Sequence, residues 1–292
     1  MIYVLYNPHA GNGRCKERAE HLRELYPAQK LQYINMTEIR DYRAFIHDSS
    51  GAPLILCGGD GTLNRFVNDT DEIAIENQVL YFPAGSGNDF ARDLGIEGNP
   101  TDVSSFLKNL PFVFVNGKRR RFINGIGYGI DGYCCEEGDR LRKKTDKAVN
   151  YAAIAVKGLL FHYSPTSAVV SVDGMRFTFD KVWLAPTMNG RYYGGGMCPT
   201  PQRNRLNQSE LSVMIMHSAG KLKTLAVFPT IFSGKHTAHT EMLQILTGKE
   251  IEVEFDRPVA LQIDGETESN ISSYRAVSAL AAAERGFVHS NR

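Results

Sequence analysis

The sequence predicts an α/β plus β fold: an N-terminal doubly wound α/β domain followed by a C-terminal antiparallel β-sandwich domain. Its 292 residues are long for one hydrophobic core and sufficient for two. Strand-like and helix-like patterns alternate from Met1 to about Leu110, which is typical of a mostly parallel sheet with helices on both faces. After Lys118, segments that alternate apolar and polar residues are separated by Gly and Asp-Gly turns, which favours antiparallel sheet.

In the first half, each predicted strand is followed by a helical pattern. Compact apolar runs predict four strands, at residues 2–6, 31–36, 53–57 and 78–83. Helical periodicity follows the first strand between Cys15 and Tyr26. A second helix is predicted over residues 37–50, with Thr37 as its cap. Gly-rich turns and further helices follow the last two strands.

The second half contains four β-rich segments and one long predicted helix. The segments are RRFINGIGYGI, SAVVSVDGMRFTFDKVWLAP, ELSVMIMH and EIEVEFDRPVALQIDGET. The long helix is expected from about Asp146 to His162, and a shorter one over residues 222–232, which include Pro229. The basic run at residues 118–121 is interpreted as a solvated loop. These patterns place the domains at 1–115 and 116–274, with 275–292 returning to the first.

Composition excludes several classes of protein. Apolar residues make up 42% of the chain and charged residues 22%, which is a globular composition. The formal net charge of +1 provides no field to recruit nucleic acid, so no nucleic-acid partner is expected. The five cysteines show no metal-site spacing, which is typical of a reducing compartment. The N-terminus lacks the pattern of a signal peptide, and no stretch approaches the roughly 20 apolar residues that span a bilayer. We therefore expect a soluble, cytoplasmic protein.

Three Gly-rich turns carry the chemical information in the first half. They cover residues 7–13, 58–62 and 85–89, and each follows an apolar run. Glycine lets a backbone approach a phosphate closely, and a following helix directs its first N–H groups at the anion. A single such turn is often only a tight turn, but three at one sheet edge predict a phosphate-binding site. None of the three matches a P-loop or a dinucleotide fingerprint.

Asp60 is the most informative residue of these turns. A carboxylate inside a phosphate-binding turn would repel the phosphates unless it had another task. It can bind a Mg²⁺ ion that bridges the phosphates, or it can meet the hydroxyl group that accepts the phosphoryl group. The alternative is that Asp60 only stabilises its own turn.

The motifs resemble those of the diacylglycerol kinase catalytic-domain family, which is related to sphingosine kinases and more distantly to NAD kinases. CGGDGTLNRFVND and PAGSGNDFAR look like its two signature loops, and NPHAGNGR resembles its first loop. FINGIGYGIDG, YYGGGMCPTPQ and LQIDGE are similar to later family segments and occur in the same order. The GGDG motif alone is shared with NAD kinases and phosphofructokinases, whereas the combination is specific.

The resemblance implies a nucleotide-binding first domain, a lipid-binding β-sandwich and an active site in the cleft between them. ATP and Mg²⁺ are the implied cofactors. The implied nucleotide-binding residues are Asn7, Gly11, Gly59, Asp60, Gly61, Thr62, Gly85, Ser86 and Asn88. Asp264 and Glu266 match the catalytic acid pair of the family, and Asp60 is the rival candidate for the general base. Asp60 is also the implied ligand of the Mg²⁺ that ATP carries.

Two departures from the family pattern concern a structural metal network. Many bacterial members carry an Asp before the F-x-N segment and an Asp-Asp-Gly turn after the GGG segment. This chain has PFVFVNGKRRRF at the first place and residues 206–210, LNQSE, at the second. In the family these acids join the Asp that matches Asp89, so the network itself is in question.

The leading prediction is a lipid kinase that transfers the γ-phosphate of ATP to a lipid hydroxyl, with diacylglycerol as the first candidate acceptor. Its partner is then a lipid at a membrane surface, and the family is compatible with a homodimer. Two alternatives stay open at this stage. One is a kinase of a soluble hydroxyl compound such as NAD, and the other is a nucleotide-binding regulator that has lost turnover.

Overall fold

The computed structural model of this protein describes residues 1–144 and 149–287. The described residues form two compact units, Met1–Leu110 and Pro111–Phe287. This division confirms the predicted α/β domain followed by an antiparallel β domain. Each unit has its own sheet and its own buried core.

The first unit contains a five-stranded sheet with the order β2-β1-β3-β4-β5. The strands are β1 (Ile2–Tyr6), β2 (Leu31–Asn35), β3 (Leu54–Gly58), β4 (Val79–Pro83) and β5 (Thr101–Asp102). The first four are parallel, and only the short β5 joins antiparallel. Strand β3 is buried along its whole length, as expected for a central strand of a parallel sheet covered on both faces.

The helices of the first unit are α1 (Cys15–Glu20), α2 (Leu22–Leu25), α3 (Tyr42–Asp48), α4 (Asp60–Asp69), α5 (Asp89–Leu94) and α6 (Ser104–Lys108). The helix predicted over 37–50 is shorter, and its predicted cap was wrong. A 3₁₀ turn covers Met36–Glu38, and α3 is capped by Asp41, whose Oδ1 accepts the N–H of Ala44 at 3.0 Å. An aspartate at this position satisfies an N–H group that the helix leaves unpaired.

The second unit contains a ten-stranded antiparallel sheet. Its main path runs β13-β12-β11-β8-β14-β15-β6-β7, and β9 joins β14 to β10. The strands are β6 (Phe112–Val115), β7 (Lys118–Arg121), β8 (Gly125–Tyr128), β9 (Thr166–Val172), β10 (Met175–Val182), β11 (Thr187–Met188), β12 (Leu211–Met216), β13 (Leu243–Gly248), β14 (Glu250–Ile263) and β15 (Glu266–Val277).

Strand β14 connects the two parts of this sheet. Its first half pairs with β9 and its second half with β8. Its pairing with β15 shifts register between Glu254 and Leu261, which marks a bulge that bends the strand. Aliphatic and aromatic side chains from both halves fill one core that includes Tyr128, Phe255 and Tyr274.

The helices of the second unit are α7 (Ile130–Arg142), α8 (Tyr151–Lys157), α9 (Lys221–Val227) and α10 (Ala279–Glu284). A π-helical turn (Gly158–His162) extends α8, and 3₁₀ turns cover Phe228–Ser233 and Lys235–Ala238. The sequence did not predict α7. The predicted helix 146–162 is described only from residue 149, and there α8 begins after Asn150, whose side chain accepts the N–H of Ala153.

Three further predictions need correction. The first unit ends at Leu110 rather than at residue 115, because β6 pairs with β7 and β15 in the second unit. The segment 275–287 also belongs to the second unit, where the N–H of Leu280 donates to the carbonyl of Gln208 at 3.1 Å; residues 288–292 lie outside the described residues. The basic run 118–121 is not a loop but strand β7.

Within residues 1–144 and 149–287, no helix has the length and apolar character needed to cross a bilayer.

Candidate active site

The three Gly-rich loops lie at one edge of the first sheet. They follow the carboxyl ends of β1, β3 and β4, which are adjacent and parallel. Backbone hydrogen bonds tie the loops together. The N–H groups of Ala84 and Gly85 donate to the carbonyl of Gly58 at 2.7 and 3.1 Å. The predicted convergence of the loops is therefore confirmed, at the edge where open α/β sheets bind ligands.

Several of the glycines are required by contacts between the loops themselves. A Cβ atom at Gly85 would stand 2.3 Å from the Cα atom of Gly59, and one at Gly11 would stand 2.4 Å from the carbonyl oxygen of Ala84. Gly61 differs, because it is exposed and a Cβ there would meet no heavy atom within 4 Å. Gly61 begins α4 together with Asp60, at the helix end where a phosphate would bind.

Asp60 links the second and third loops. Its Oδ2 accepts the N–H of Asp89 at 2.8 Å, and its Oδ1 accepts the N–H of Phe90 at 3.0 Å. Both N–H groups belong to the first turn of α5, so Asp60 caps a neighbouring helix rather than its own turn. A carboxylate offers about four lone-pair positions, so each oxygen keeps capacity for a further partner.

The remaining predicted nucleotide-binding residues occupy different surroundings. Asn88 adopts a left-handed conformation, and its side-chain amide exchanges hydrogen bonds with the backbone of Gly85, which closes the third loop. Ser86 lies exposed at the tip of that loop. Thr62 is buried, and its hydroxyl has no hydrogen-bond partner among the described residues. Asn7 accepts the N–H of His9 at 3.0 Å and so shapes the first loop.

The donor set suits Mg²⁺ that arrives with a nucleotide. Such an ion usually keeps several waters and binds one or two protein carboxylates beside the phosphates. Asp60 fits that requirement, since both its oxygens retain lone pairs. Among the described residues, no group of three or more His, Cys, Asp and Glu side chains is placed to hold a metal on its own. Asp89 is buried and has Arg92 at 3.6 Å, and its assignment to a structural metal network remains a prediction.

In the second unit, Asp264 anchors the segment that leads into β8. Its carboxylate accepts three backbone N–H groups, those of Ile123 at 2.5 Å, Asn124 at 2.8 Å and Gly125 at 3.1 Å. Asp264 and Gly265 both have positive φ and form the tight turn between β14 and β15. The Asp264 carboxylate is therefore already engaged by three backbone donors.

Glu266 has different surroundings from Asp264, although only one residue separates them. It stands at the start of β15, and its side chain is 56% exposed. The Arg120 guanidinium forms an ion pair with Glu266 and reaches Glu268 at 3.5 Å. Strand β7 therefore provides the cation that pairs with these two carboxylates. Of the acid pair, Glu266 is the more exposed member, and its partner is a side chain rather than the backbone.

Sequence reasoning gave no role to Asp131, which lies in the first turn of α7. Its Oδ2 accepts a hydrogen bond from Nε2 of Gln262 at 2.8 Å. Burial among protein atoms raises the pKa of Asp131 to about 6, although the Gln262 bond acts in the opposite direction. Burial, and then the nearby Asp131 charge, also raise the pKa of Tyr193. A carboxyl group that titrates near neutral pH is a candidate functional group. The sequence feature that could have identified Asp131 is its position in the FINGIGYGIDG motif, just after the strand.

The stretch that departs from the family pattern is organised by a buried arginine. The guanidinium of Arg203 donates to the carbonyls of Asn204, Asn207 and Glu210, the second of these at 2.8 Å. Arg203 is 5% exposed. In this loop a fixed side-chain cation satisfies carbonyl groups that converge from one turn.

Comparison with protein-family models identifies both units. The diacylglycerol kinase catalytic domain matches residues 1–111. The YegS C-terminal NAD kinase beta sandwich-like domain matches residues 124–281, which is just over half of the chain. The chain belongs to the family of proteins with the YegS C-terminal domain, and its first unit matches the diacylglycerol kinase catalytic domain; these proteins are phosphotransferases with an alcohol group as acceptor.

Individual relatives agree with the family. The chain is 23% identical over 287 residues to a diacylglycerol kinase of Bacillus subtilis, a match that covers 90% of this chain and 88% of that protein. It is 26% identical over 209 residues to YtlR of Bacillus subtilis, a suspected lipid kinase. That match covers 63% of this chain and 64%, or less than two thirds, of YtlR. A crystal structure of a suspected diacylglycerol kinase of Bacillus anthracis shares the fold, with a TM-score of 0.65 at 19% identity, and the match covers 95% and 92% of the two chains.

Proposed function

We propose that this protein is an ATP-dependent lipid kinase that transfers the γ-phosphate to a lipid hydroxyl, with diacylglycerol as the first candidate acceptor and phosphatidic acid as the product. The observation that carries the proposal is the convergence of three Gly-rich loops at one sheet edge, with Asp60 bonded to the third loop. The names of the relatives support a lipid as the acceptor. We propose that it acts at the cytoplasmic surface of a membrane.

The first unit is the proposed site for ATP and Mg²⁺. The first turn of α4 directs N–H groups towards the loop edge, where they can bind phosphate oxygens, whereas the first N–H groups of α5 are donated to Asp60. Asp60 would hold the Mg²⁺ that neutralises the charge on these phosphates when the nucleotide is bound. The backbone–backbone bonds among the loops keep these donors in fixed positions, which lowers the cost of reorganisation during transfer.

The second unit supplies the proposed general base. Phosphoryl transfer to an alcohol requires a group that takes the hydroxyl proton. Glu266 is the better candidate than Asp264, because three backbone N–H groups already bind the Asp264 carboxylate. Asp264 then acts as a positioning residue that holds the segment 123–125 and the start of β15. Arg120 orients Glu266.

The test is transfer of labelled γ-phosphate from ATP to a panel of lipid alcohols in mixed micelles, with NAD as a soluble acceptor in parallel. The protein is compared with Glu266→Gln, Asp60→Asn and the matched control Glu268→Gln, since Glu268 is the other carboxylate that contacts Arg120. We expect transfer to a lipid that falls by about 100-fold or more in Glu266→Gln and Asp60→Asn but not in the control. Transfer to NAD alone, or to no acceptor despite ATP binding, would contradict the proposal.

A further inference from the structure

Exposed apolar side chains concentrate on one part of the second unit. Among the described residues, ten large apolar side chains are exposed, and five of them lie within residues 151–162 and 221–233: Tyr151, Val156, Phe161, Leu222 and Phe232. Leu222 at 78% and Phe161 at 73% are the two most exposed of the ten. We call residues 151–162 and 221–233 the α8/α9 face. Scattered single apolar residues need no explanation, but a concentration of this kind marks an interaction site.

The two segments of the α8/α9 face adjoin each other. The Lys221 ammonium, at the start of α9, donates to the carbonyl of Leu160 in the π-helical turn at 3.1 Å. On their inner sides the segments share one buried core, to which Leu159, Val227 and Ile231 contribute. Buried side chains therefore hold both segments in place, while Phe161 and Leu222 project from neighbouring elements into solvent.

The charged side chains that the two segments of this face contribute are basic. Residues 149–172 and 211–240 contain no Asp or Glu, whereas they contain Lys157, Lys221, Lys223 and Lys235. All four lysines are exposed. Among the described residues, Lys223 pairs with Glu241 at 2.7 Å, and Glu137 of α7 lies close to Lys157. For a chain with a net charge of +1, this is a local basic field around exposed apolar side chains.

The combination matches an anionic lipid bilayer. A peripheral surface that binds one places apolar side chains in the headgroup boundary, and its lysines are attracted to anionic lipids. A cavity of about 480 Å³ borders the face; its apolar wall includes Tyr133, Leu141 and Ile154, and its charged lining residues are Lys157, Arg140 and Glu137. An apolar wall beside the Lys157 and Arg140 cations is complementary to lipid, which has an apolar chain and an anionic headgroup.

We propose that the α8/α9 face is the surface by which this protein binds an anionic membrane, with Phe161 and Leu222 inserted among the lipid headgroups. This inference rests on the proposed lipid kinase function and adds the surface that brings the protein to its substrate. The lysines are attracted to the anionic lipid headgroups, and salt screens this attraction. Binding therefore requires anionic lipid and weakens as ionic strength rises.

The test is co-sedimentation of the protein with vesicles of phosphatidylcholine alone and with added phosphatidylglycerol, without ATP. The variant Phe161→Ser/Leu222→Ser is compared with Met175→Ser/Leu206→Ser, because Met175 and Leu206 are each 63% exposed and lie outside the face. We expect the first variant to bind anionic vesicles about 100-fold more weakly and the second to bind like the parent. The double variant Lys157→Gln/Lys235→Gln should bind anionic vesicles about 30-fold more weakly, since each lysine contributes about fivefold to the affinity.

A second measurement separates this inference from the proposed function. Phosphate transfer to a short-chain diacylglycerol below its micellar concentration needs no membrane, so Phe161→Ser/Leu222→Ser should keep it. Equal vesicle binding by the parent and this variant, or equal loss in the Met175/Leu206 variant, would overturn the proposed surface. Vesicle binding is measured without turnover. The role of the α8/α9 face in membrane binding is therefore tested even if the protein phosphorylates no lipid.

Discussion

Replacing Asp264 should destabilise the second unit, an effect that a purely catalytic carboxylate would not have. The Asp264 carboxylate accepts the N–H groups of Ile123, Asn124 and Gly125, at 2.5, 2.8 and 3.1 Å. These three residues lead into β8, which lies in the middle of the sheet between β11 and β14. Asp264→Asn is the cleanest change, because asparagine also tolerates the positive φ of 48° at this position.

The magnitude follows from the hydrogen bonds. An asparagine keeps one carbonyl oxygen but directs its NH₂ group at a backbone donor, which leaves at least one N–H unpaired, and it also removes the charge. We expect the free energy of unfolding to fall by about 2–4 kcal/mol. Asp264→Ala removes all three acceptor contacts and should cost about 3–5 kcal/mol, with roughly 1 kcal/mol more from backbone strain.

The assay is urea unfolding followed by fluorescence of Trp183, which is buried in the second unit. The control is Glu266→Ala in the same hairpin. Its partly exposed ion pair with Arg120 should contribute about 0–1 kcal/mol. An unchanged urea midpoint in Asp264→Ala, or a midpoint shift in Glu266→Ala as large as that in Asp264→Asn, would refute the positioning role of Asp264.

Three further predictions concern the loops and Asp131. Gly85→Ala would place a Cβ atom 2.3 Å from the Cα of Gly59 and should lower the melting temperature. Gly61→Ala meets no atom within 4 Å, so it should weaken ATP binding in calorimetry with little change in melting temperature. A larger fall in melting temperature for Gly61→Ala than for Gly85→Ala would contradict the loop geometry. Asp60→Ala removes both N–H acceptors at α5 and should cost about 1–2 kcal/mol of stability in urea unfolding, so a loss of activity without any loss of stability would show that these bonds contribute nothing. The pKa of Asp131 lies above its ordinary value of 3.8, at about 6, so the folded state binds this proton more tightly and its stability falls as pH rises from about 4 to 6. Asp131→Asn should therefore gain stability relative to the parent across that range, by up to about 3 kcal/mol at pH 7, and a difference that is flat with pH would contradict the pKa shift.

Local pattern was enough to predict the first unit. Apolar runs and the Gly-rich turns after them predicted β1, β3 and β4 and placed their loops at one sheet edge, because parallel strands joined by crossover helices bring their carboxyl ends together. Periodicity failed at α7, because its glycines and charged residues lack a regular apolar stripe. The basic residues of β7 also concealed a strand, since charged side chains on a half-exposed strand resemble a solvated loop.

The roles of the candidate carboxylates were decided only by tertiary contacts. The sequence placed Asp60, Asp264 and Glu266 in motifs that occur in the order of a kinase family, and the resemblance to that family followed from the same motifs. It did not show that Asp60 caps a helix about 30 residues away, or that Asp264 binds N–H groups about 140 residues earlier in the chain. Hydrogen bonds between distant residues depend on how strands pair and where a sheet bends, and no local pattern records either. Residue type and spacing therefore determined which groups are present, and the fold decided which of them are already bonded and which are available to a substrate.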